Sequence, residues 1–311
     1  MLDKLLKYSF ILTLTVCILL FPELSAPAIR SGISLCITRV IPAIFPFLVL
    51  SGMISRSSAA FVAEDICAPA VRRMFGLPKC AATVLFAGYL CGFPVGAKTA
   101  ADMYRAGRLT KNQTEYLLMF CNNTGPSFVI GAVGIDILLS VRLGIALYVF
   151  QVLSSILCGI ILKSTVPRTE SETSAPEKWE PTPRFSSLLC SSVLSGVRSL
   201  TAICGFVIFF AFIVSLIELP VRSFTDRPEI ISALSGVFEL TRGIYSLEGV
   251  NAKAAFVIAG GLISWSGFSV HFQTAALLSQ SGLSMRRYII GKALCCAVNL
   301  SLCCIFAIIA L

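Results

Sequence analysis

Charged residues are scarce in this 311-residue chain, where they make up 13% of the sequence. About 25% is usual in a soluble domain. Hydrophobic residues make up 56%, and the mean hydropathy is +0.87. Long uncharged apolar runs recur from Tyr8 to the C-terminal end, and several approach the roughly 20 residues that cross a bilayer. This composition excludes a soluble enzyme or a disordered regulator and predicts an all-α polytopic membrane protein.

Groups that could hold a metal or a nucleotide are also scarce. His271 is the single histidine, and none of the 13 cysteines forms a Cys-x-x-Cys pair. Most cysteines, such as Cys158 and Cys204, lie in apolar runs, where a thiol behaves as a small hydrophobic group. The sequence contains no Gly-rich phosphate loop of the Walker kind. We therefore expect no metal, no cofactor and no ATP hydrolysis.

The excess of basic residues, a formal net charge of +9, predicts topology rather than a nucleic-acid partner. The cations cluster beside apolar runs, and clusters of this kind mark cytoplasmic loops. Lys4 and Lys7 precede the first run, and Ser25-Ala26-Pro27 is a poor cleavage site for a signal peptidase. Residues 1–25 are therefore interpreted as a retained transmembrane helix with its N-terminus in the cytoplasm.

Residues 26–162 form the first of two predicted repeats. An apolar helix is followed by the Gly- and Pro-rich segment Cys80–Ala97, and each flank of that segment has a net charge of +2. Both flanks therefore favour the cytoplasm, which predicts a re-entrant hairpin. A helix then starts near Tyr116, breaks at Asn122-Asn123-Thr124-Gly125-Pro126 and continues, and the helix Leu143–Leu162 closes the repeat.

Residues 163–185 are polar and are predicted to be a cytoplasmic linker, after which residues 186–311 follow the same plan. A helix, a Gly-interrupted hairpin over Ile230–Leu247, a helix broken at Ser264–Gly267 and a final helix succeed one another. Arg286, Arg287 and Lys292 are interpreted as a cytoplasmic turn before that final helix. The count of crossings makes the second repeat inverted relative to the first, and inverted repeats with interrupted helices are typical of transporters.

The two breaks and the second hairpin carry the candidate binding residues. A broken helix is tolerated within hydrocarbon only where protein or a water-filled cavity surrounds it, and the N-termini of the half-helices suit an anion or a polar ring. Substrate contact is predicted for nine residues: Asn122, Asn123, Thr124, Gly125, Glu239, Thr241, Ser266, His271 and Gln273. Six further residues are predicted to form the hairpin turns and hinges: Gly92, Pro94, Gly96, Pro126, Gly236 and Gly267.

Structural roles compete with these functional ones. The two asparagines could cap half-helices, Glu239 could pair with Arg242 or lie at the outer interface, and His271 could be a hydrogen-bonded structural residue. Glu239 could instead bind a proton or a coupling cation, since carboxylates within a membrane are costly and usually functional. His271 beside serines suggests an intramembrane protease, but no separate nucleophile motif is present. We therefore predict that the protein is not an enzyme.

Two stretches resemble a known family. They read Gly88-Tyr89-x-x-Gly92-Phe93-Pro94-x-Gly96-Ala97-Lys98 and Phe120-Cys121-Asn122-Asn123-Thr124-Gly125-Pro126, and they are similar to the YlbJ/SpoVV sporulation integral membrane proteins. Two stretches of the second half, Gly236-Val237-Phe238-Glu239-Leu240-Thr241-x-Gly243 and Gly267-Phe268-Ser269-Val270-His271-x-Gln273, also resemble that family. The similarity covers most of the chain from about residue 40.

The resemblance implies a nucleoside-recognition or Gate domain, distantly related to concentrative nucleoside transporters and to the ferrous-iron permease core. It also implies transport of dipicolinate across the outer forespore membrane during sporulation. By position, Asn122, Asn123, Glu239, Thr241, His271 and Gln273 would face the permeation path.

We therefore expect a multi-pass permease of the bacterial cell membrane or the outer forespore membrane, with a small anionic or aromatic solute as its partner. A nucleoside or nucleobase permease, and a non-transporting scaffold of a sporulation complex, are the alternatives. Coupling to a proton or a cation, and a homo-oligomeric state, stay open.

Overall fold

The computed structural model describes residues 2–55, 58–165, 184–279 and 281–311. Every regular element within these ranges is a helix, and no strand occurs among the described residues. The predicted all-α polytopic class is therefore confirmed. Residues 166–183, which make up most of the predicted linker, lie outside the described residues.

Within the described ranges, the first half contains eight α-helices, two π-helical turns that extend them and one separate π-helical segment. The bounds are α1 Leu2–Leu20, α2 Pro22–Leu35, a π-helical turn Cys36–Val40, α3 Ile41–Ser55, α4 Ser58–Phe75, α5 Ala81–Phe86, a π-helical turn Ala87–Cys91, α6 Val95–Arg105, α7 Lys111–Cys121, the π-helical segment Ser127–Ile137 and α8 Val141–Leu162.

The described part of the second half contains six α-helices. The bounds are α9 Phe185–Arg222, α10 Pro228–Phe238, α11 Leu240–Tyr245, α12 Ala252–Trp265, α13 Gly267–Leu278 and α14 Met285–Ala310. Thus α10 and α11 follow α9 as α5 and α6 follow α3 and α4, and the α12–α13 pair corresponds to α7 and Ser127–Ile137. The inversion of one half relative to the other stays a prediction.

Four described helical segments are long and apolar enough to cross a membrane: Val141–Thr165, Phe185–Arg222, Ala252–Leu278 and Met285–Ala310. A fifth crossing results if the pair Ile11–Leu20 and Pro22–Val40, bent by 103°, counts as one span. The hairpin arms Ala81–Cys91 and Pro228–Phe238 have 11 residues each, about 16 Å at 1.5 Å per residue. Either arm therefore reaches about halfway through a hydrocarbon core of roughly 30 Å.

The ends of the broken helices follow from local chemistry. Thr110 and Gln113 form a capping box that starts α7, and α7 stops at the Asn-Asn-Thr-Gly-Pro segment because Pro126 has no N–H to donate. In the second half, α12 ends at Trp265, and Ser266 adopts a left-handed conformation with φ 75° before α13 begins. The interruption is thus five residues long in the first half and one residue long in the second.

The two halves share their hydrophobic cores. Tyr288 and Cys295 of α14 belong to the core built around α5, α6 and α7. Leu240 of α11 and Phe256 of α12 belong to the core built around Ser127–Ile137 and α8. Because neither half completes a core alone, the broken helices of both halves are brought side by side.

Glycine residues, which have no side chain, allow each hairpin to pack closely. A Cβ atom on Gly88 would lie 1.7 Å from the carbonyl oxygen of Cys121, at the end of α7. A Cβ atom on Gly243 of α11 would lie 2.2 Å from the Cα atom of Gly236 in α10. Both contacts are with backbone, which cannot move aside as a flexible side chain can.

We expect Gly88→Ala to destabilise the fold by about 1–3 kcal/mol, the usual cost of forcing extra volume into a packed site. Thermal unfolding in detergent micelles measures the loss. Gly205→Ala is the matched control, because a Cβ atom there meets no atom within 4 Å and alanine favours a helix. Equal stability of the two variants would contradict the close contact between the first hairpin and α7.

Candidate functional site

One cavity lies where both hairpins and both broken helices meet. Its wall comes from the first hairpin (Cys91, Phe93), the first break (Thr124, Gly125, Ser127, Phe128), the second hairpin (Glu239, Leu240, Thr241) and α13 (Ser269, Val270, Gln273), with Val40, Ile44, Ile203 and Val207 completing it. The four elements predicted to surround a solute site therefore face one space.

This cavity is small. The volume open to the centres of water molecules is about 30 Å³. This is room for roughly two water molecules. A ring compound with several substituents needs more space than this. Such a solute could enter only if the wall elements moved apart.

The two asparagine side chains at the first break form hydrogen bonds to other groups of the protein. Asn122 Nδ2 donates to Thr274 Oγ1 at 3.1 Å and to Tyr288 Oη at 3.3 Å. Asn123 Nδ2 donates to the carbonyl oxygen of Phe120 at 2.8 Å. Both asparagines are buried and neither lies in the cavity wall, so in this arrangement they organise the break.

Thr124 and Gly125 reach the cavity itself. Thr124 is buried, and its Oγ1 donates to the carbonyl oxygen of Ile263 in α12 at 2.7 Å. Its own carbonyl oxygen accepts from Gln151 Nε2 at 2.8 Å. The first break is therefore tied directly to the broken helix of the second half.

Glu239 lies in the cavity wall and caps α11. Its carboxylate accepts from the backbone N–H groups of Thr241 at 3.1 Å and Arg242 at 2.7 Å. Among the described residues, the Arg242 guanidinium pairs with Glu218 of α9, at 2.8 Å from Nη2 to Oε2, and not with the Glu239 carboxylate. The alternative of a side-chain ion pair between Glu239 and Arg242 is therefore wrong.

The residues at the second break occupy two layers. Gln273 and Thr241 lie in the cavity wall. His271 and Ser266 are buried behind it; His271 Nδ1 lies 3.2 Å from Tyr288 Oη, and its ring packs edge-on against Trp265. The structure thus brings five of the nine predicted residues into the wall: Thr124, Gly125, Glu239, Thr241 and Gln273.

The predicted hinge residues join each hairpin to a break. Gly92 has φ +75°, and a Cβ atom there would lie 2.5 Å from the backbone nitrogen of Gly125. Gly267 has φ +78°, and a Cβ atom there would lie 3.0 Å from the backbone nitrogen of Leu240. Among the other predicted hinge residues, Pro94 and Gly96 lie at the start of α6, Pro126 precedes Ser127–Ile137, and Gly236 lies in α10.

Lys292 is the most important residue that the sequence interpretation misplaced. The charge pattern predicts a cytoplasmic turn with Arg286 and Arg287, but Lys292 is only 1% exposed inside α14. Its Nζ donates to the carbonyl oxygen of Asn122 at 3.0 Å. The available signal was position: a lysine seven residues after the start of an apolar helix is an intramembrane charge, and such charges are usually functional.

A second cluster of residues, which the sequence does not predict, connects three elements of the cavity wall. Arg39 of the π-helical turn Cys36–Val40 pairs with Asp136 of Ser127–Ile137, and its guanidinium lies 5.2 Å from the ring centre of Tyr245 in α11. Tyr245 Oη lies 3.3 Å from Asp136 Oδ2. The contact depends on three segments that are far apart in sequence, so no local pattern predicts it.

Comparison with family models indicates the class of protein. Residues 37–140 match the family model described as Gate, nucleoside recognition. The matched region contains the first hairpin and the whole first break, which supply half of the polar elements around the cavity. The chain is therefore a polytopic helical membrane protein in which residues 37–140 are similar to the Gate family.

Similarity to one curated protein covers nearly the whole chain. The chain is 27% identical over 326 residues to the sporulation integral membrane protein YlbJ of Bacillus subtilis (strain 168), and the match covers 94% of this chain and 80% of that protein. The predicted resemblance is thus confirmed and includes the second half. No solved structure matches the chain.

We expect Arg242→Met to lower stability by about 3 kcal/mol, because it leaves the buried Glu218 carboxylate without its main partner. Arg242 also donates to the carbonyl oxygen of Ala211 at 3.1 Å, so the second hairpin loses a second contact with α9 and, among the described residues, keeps only the hydrogen bond from Ser235 to Glu218. Arg222→Met is the control, since Arg222 is 56% exposed and lies 3.5 Å from Glu218; we expect a change below about 1 kcal/mol. Comparable losses in thermal unfolding would refute the assigned pairing.

Proposed function

We propose that this protein is a permease that moves a small polar solute through the cavity between its hairpins and broken helices. The observation that carries the proposal is a pair of unsatisfied polar atoms. Ser269 Oγ and Gln273 Oε1 are buried, lie on residues of the cavity wall and have no hydrogen-bond partner within the described ranges. A buried polar atom without a partner costs about 1–3 kcal/mol, a cost that contact with a solute would offset.

The arrangement of the backbone supports the same function. Interrupted helices at membrane depth are tolerated where they line a cavity, and carriers place their solute sites at such interruptions. Here both interruptions, at 122–126 and at Ser266, belong to elements that line one cavity. A scaffold that only binds partners has no need for two broken helices facing each other.

Transport through this cavity requires a contact that can open. Arg39, Asp136 and Tyr245 connect three elements that also supply Val40, Ser127 and Leu240 to the wall. The Arg39 and Asp136 side chains are 51% and 32% exposed, and exposed ion pairs contribute only about 0.2–1 kcal/mol. A bridge this weak can break during each transport cycle, and we assign it the role of closing one side of the cavity.

Dipicolinate is the first candidate solute, moved across the outer forespore membrane during sporulation. The name of the Bacillus relative, a sporulation integral membrane protein, supports a sporulation role, and a flat ring suits a narrow space between helix ends. The cytoplasmic N-terminus proposed from Lys4 and Lys7 sets the orientation. Because the solute would be a dianion, coupling to a proton or another cation would offset its charge.

A nucleoside is the second candidate, and one observation favours it. Glu239 is the one charged side chain in the cavity wall as the described residues define it, so no wall cation is present to bind a dianion. A carboxylate, an amide and hydroxyl groups suit the sugar and base of a neutral nucleoside. The Gate description, nucleoside recognition, agrees with this alternative.

Uptake into proteoliposomes tests the proposal with radiolabelled dipicolinate and a panel of nucleosides. We expect saturable uptake of one of these solutes, with Ser269→Ala and Gln273→Met each lowering it at least about tenfold, the effect of losing one charged or well-placed hydrogen bond. Folding should be unchanged, since neither altered atom bonds to the protein. Ser192→Ala is the matched control, because Ser192 Oγ is also buried without a partner but lies outside the cavity wall.

The outcomes separate the candidates. Dipicolinate uptake supports the first solute, and nucleoside uptake with no dipicolinate uptake supports the second. Full uptake by both cavity variants would refute the assigned site. Folded protein that moves none of these solutes would refute the permease and favour a scaffold.

Asp136→Asn tests the bridge that closes the cavity. Loss of an exposed ion pair worth up to about 1 kcal/mol should speed exchange of the solute across vesicles by up to about fivefold, while thermal stability changes little. Asp226→Asn, a change at an exposed loop acid, should leave exchange unaltered. An exchange rate equal to that of the unmodified protein would remove the Arg39–Asp136 pair from the mechanism.

A further inference from the structure

A buried lysine lies at the end of the first half of the broken helix. Lys292 of α14 is 1% exposed, and its Nζ donates to the carbonyl oxygen of Asn122, which caps the C-terminus of α7. No carboxylate pairs with Lys292 among the residues that the structure describes. An ammonium group held in this way is costly to bury, so its retention needs a reason.

The end of α7 presents several backbone carbonyl groups that no later turn of helix can satisfy. The carbonyl oxygen of Met119 accepts from Cys295 Sγ at 3.8 Å, and that of Phe120 accepts from Asn123 Nδ2 at 2.8 Å. The carbonyl oxygen of Asn122 accepts from Lys292 Nζ. These oxygens form the negative end of the helix dipole, which attracts a cation.

The packing of α14 brings the ammonium group to this point. A Cβ atom on Gly291 would lie 2.3 Å from the carbonyl oxygen of Met119, so α14 meets the last turn of α7 by backbone contact. Asn122 also has a second oxygen here, Oδ1, which is buried without a hydrogen-bond partner in the described ranges. The site therefore combines a buried lysine amine, a helix C-terminus and an asparagine whose side-chain oxygen has no partner among the described residues.

Carriers with broken helices use this kind of place for a coupling ion, which unwound carbonyl groups and the C-termini of half-helices bind. We propose that the Lys292 ammonium is a built-in substitute for that ion and holds the end of α7 in place. The site is distinct from the cavity wall, since neither Lys292 nor Asn122 belongs to it. The consequence for transport, independence from sodium at this position, rests on the proposed function; the ion site itself does not.

Lys292→Ala should convert the built-in cation into a site for a small monovalent ion. In detergent, we expect sodium or ammonium chloride to raise the melting temperature of Lys292→Ala by about 2–4 °C in a saturable manner, relative to N-methyl-D-glucamine chloride at equal ionic strength. The unmodified protein and Lys292→Met should not respond, because a side chain fills the site in both. Lys253→Ala, at an exposed lysine, is the control and should behave as the unmodified protein.

An equal response of Lys292→Ala and Lys292→Met, or a response of the unmodified protein, would overturn the proposal. Because this measurement needs no solute, it can succeed even if the permease assignment fails. Uptake adds a second arm: Lys292→Met should stay folded, because removal of a buried charge offsets the loss of the hydrogen bond to the Asn122 carbonyl group, yet it should lose uptake at least tenfold. Normal uptake by folded Lys292→Met would also overturn the proposal, and this variant decides the matter if Lys292→Ala does not fold.

Discussion

The structure depends on how the backbone groups freed by each helix break are satisfied. Within hydrocarbon such groups must find partners in the protein, and at the first break a hairpin supplies one. The backbone N–H of Phe93 donates to the carbonyl oxygen of Asn123 at 2.7 Å, and Trp265 Nε1 donates to the carbonyl oxygen of Val237 at 3.1 Å. In both halves a hairpin tip therefore lies against a break, and the cavity forms between these two contacts.

Local chemistry explains why the breaks could be predicted from the sequence. Asn122 to Pro126 combine residues that cap helices with one that cannot continue them, and Gly267 follows a polar Ser264-Trp265-Ser266 stretch. Thr124 and Glu239 could be predicted to lie near the cavity for the same reason, since both lie at helix ends. Such patterns span only a few residues, and they predict which helices end near the cavity.

The layer behind the cavity could not be predicted, because it depends on packing between the halves. Asn122 contacts Thr274 and Tyr288, which are 152 and 166 positions away in sequence. His271 reaches the same tyrosine, so two residues predicted to face the solute share a buried network. The position of Lys292 inside an apolar helix indicates an intramembrane charge, but only the docking of α14 on α7 shows which group its side chain contacts.

This network also constrains how the cavity can open. Tyr288 of α14 contacts Asn122 at the first break and His271 just after the second, while Thr124 donates to Ile263 immediately before the second break. A shift of either broken helix must therefore break these hydrogen bonds or carry the other helix with it. Since a buried hydrogen bond left unmade costs about 1–3 kcal/mol, moving both breaks together is the less costly route. The wall elements outside the network, α9 and the turn that carries Arg39, are then the surfaces against which the paired breaks would slide.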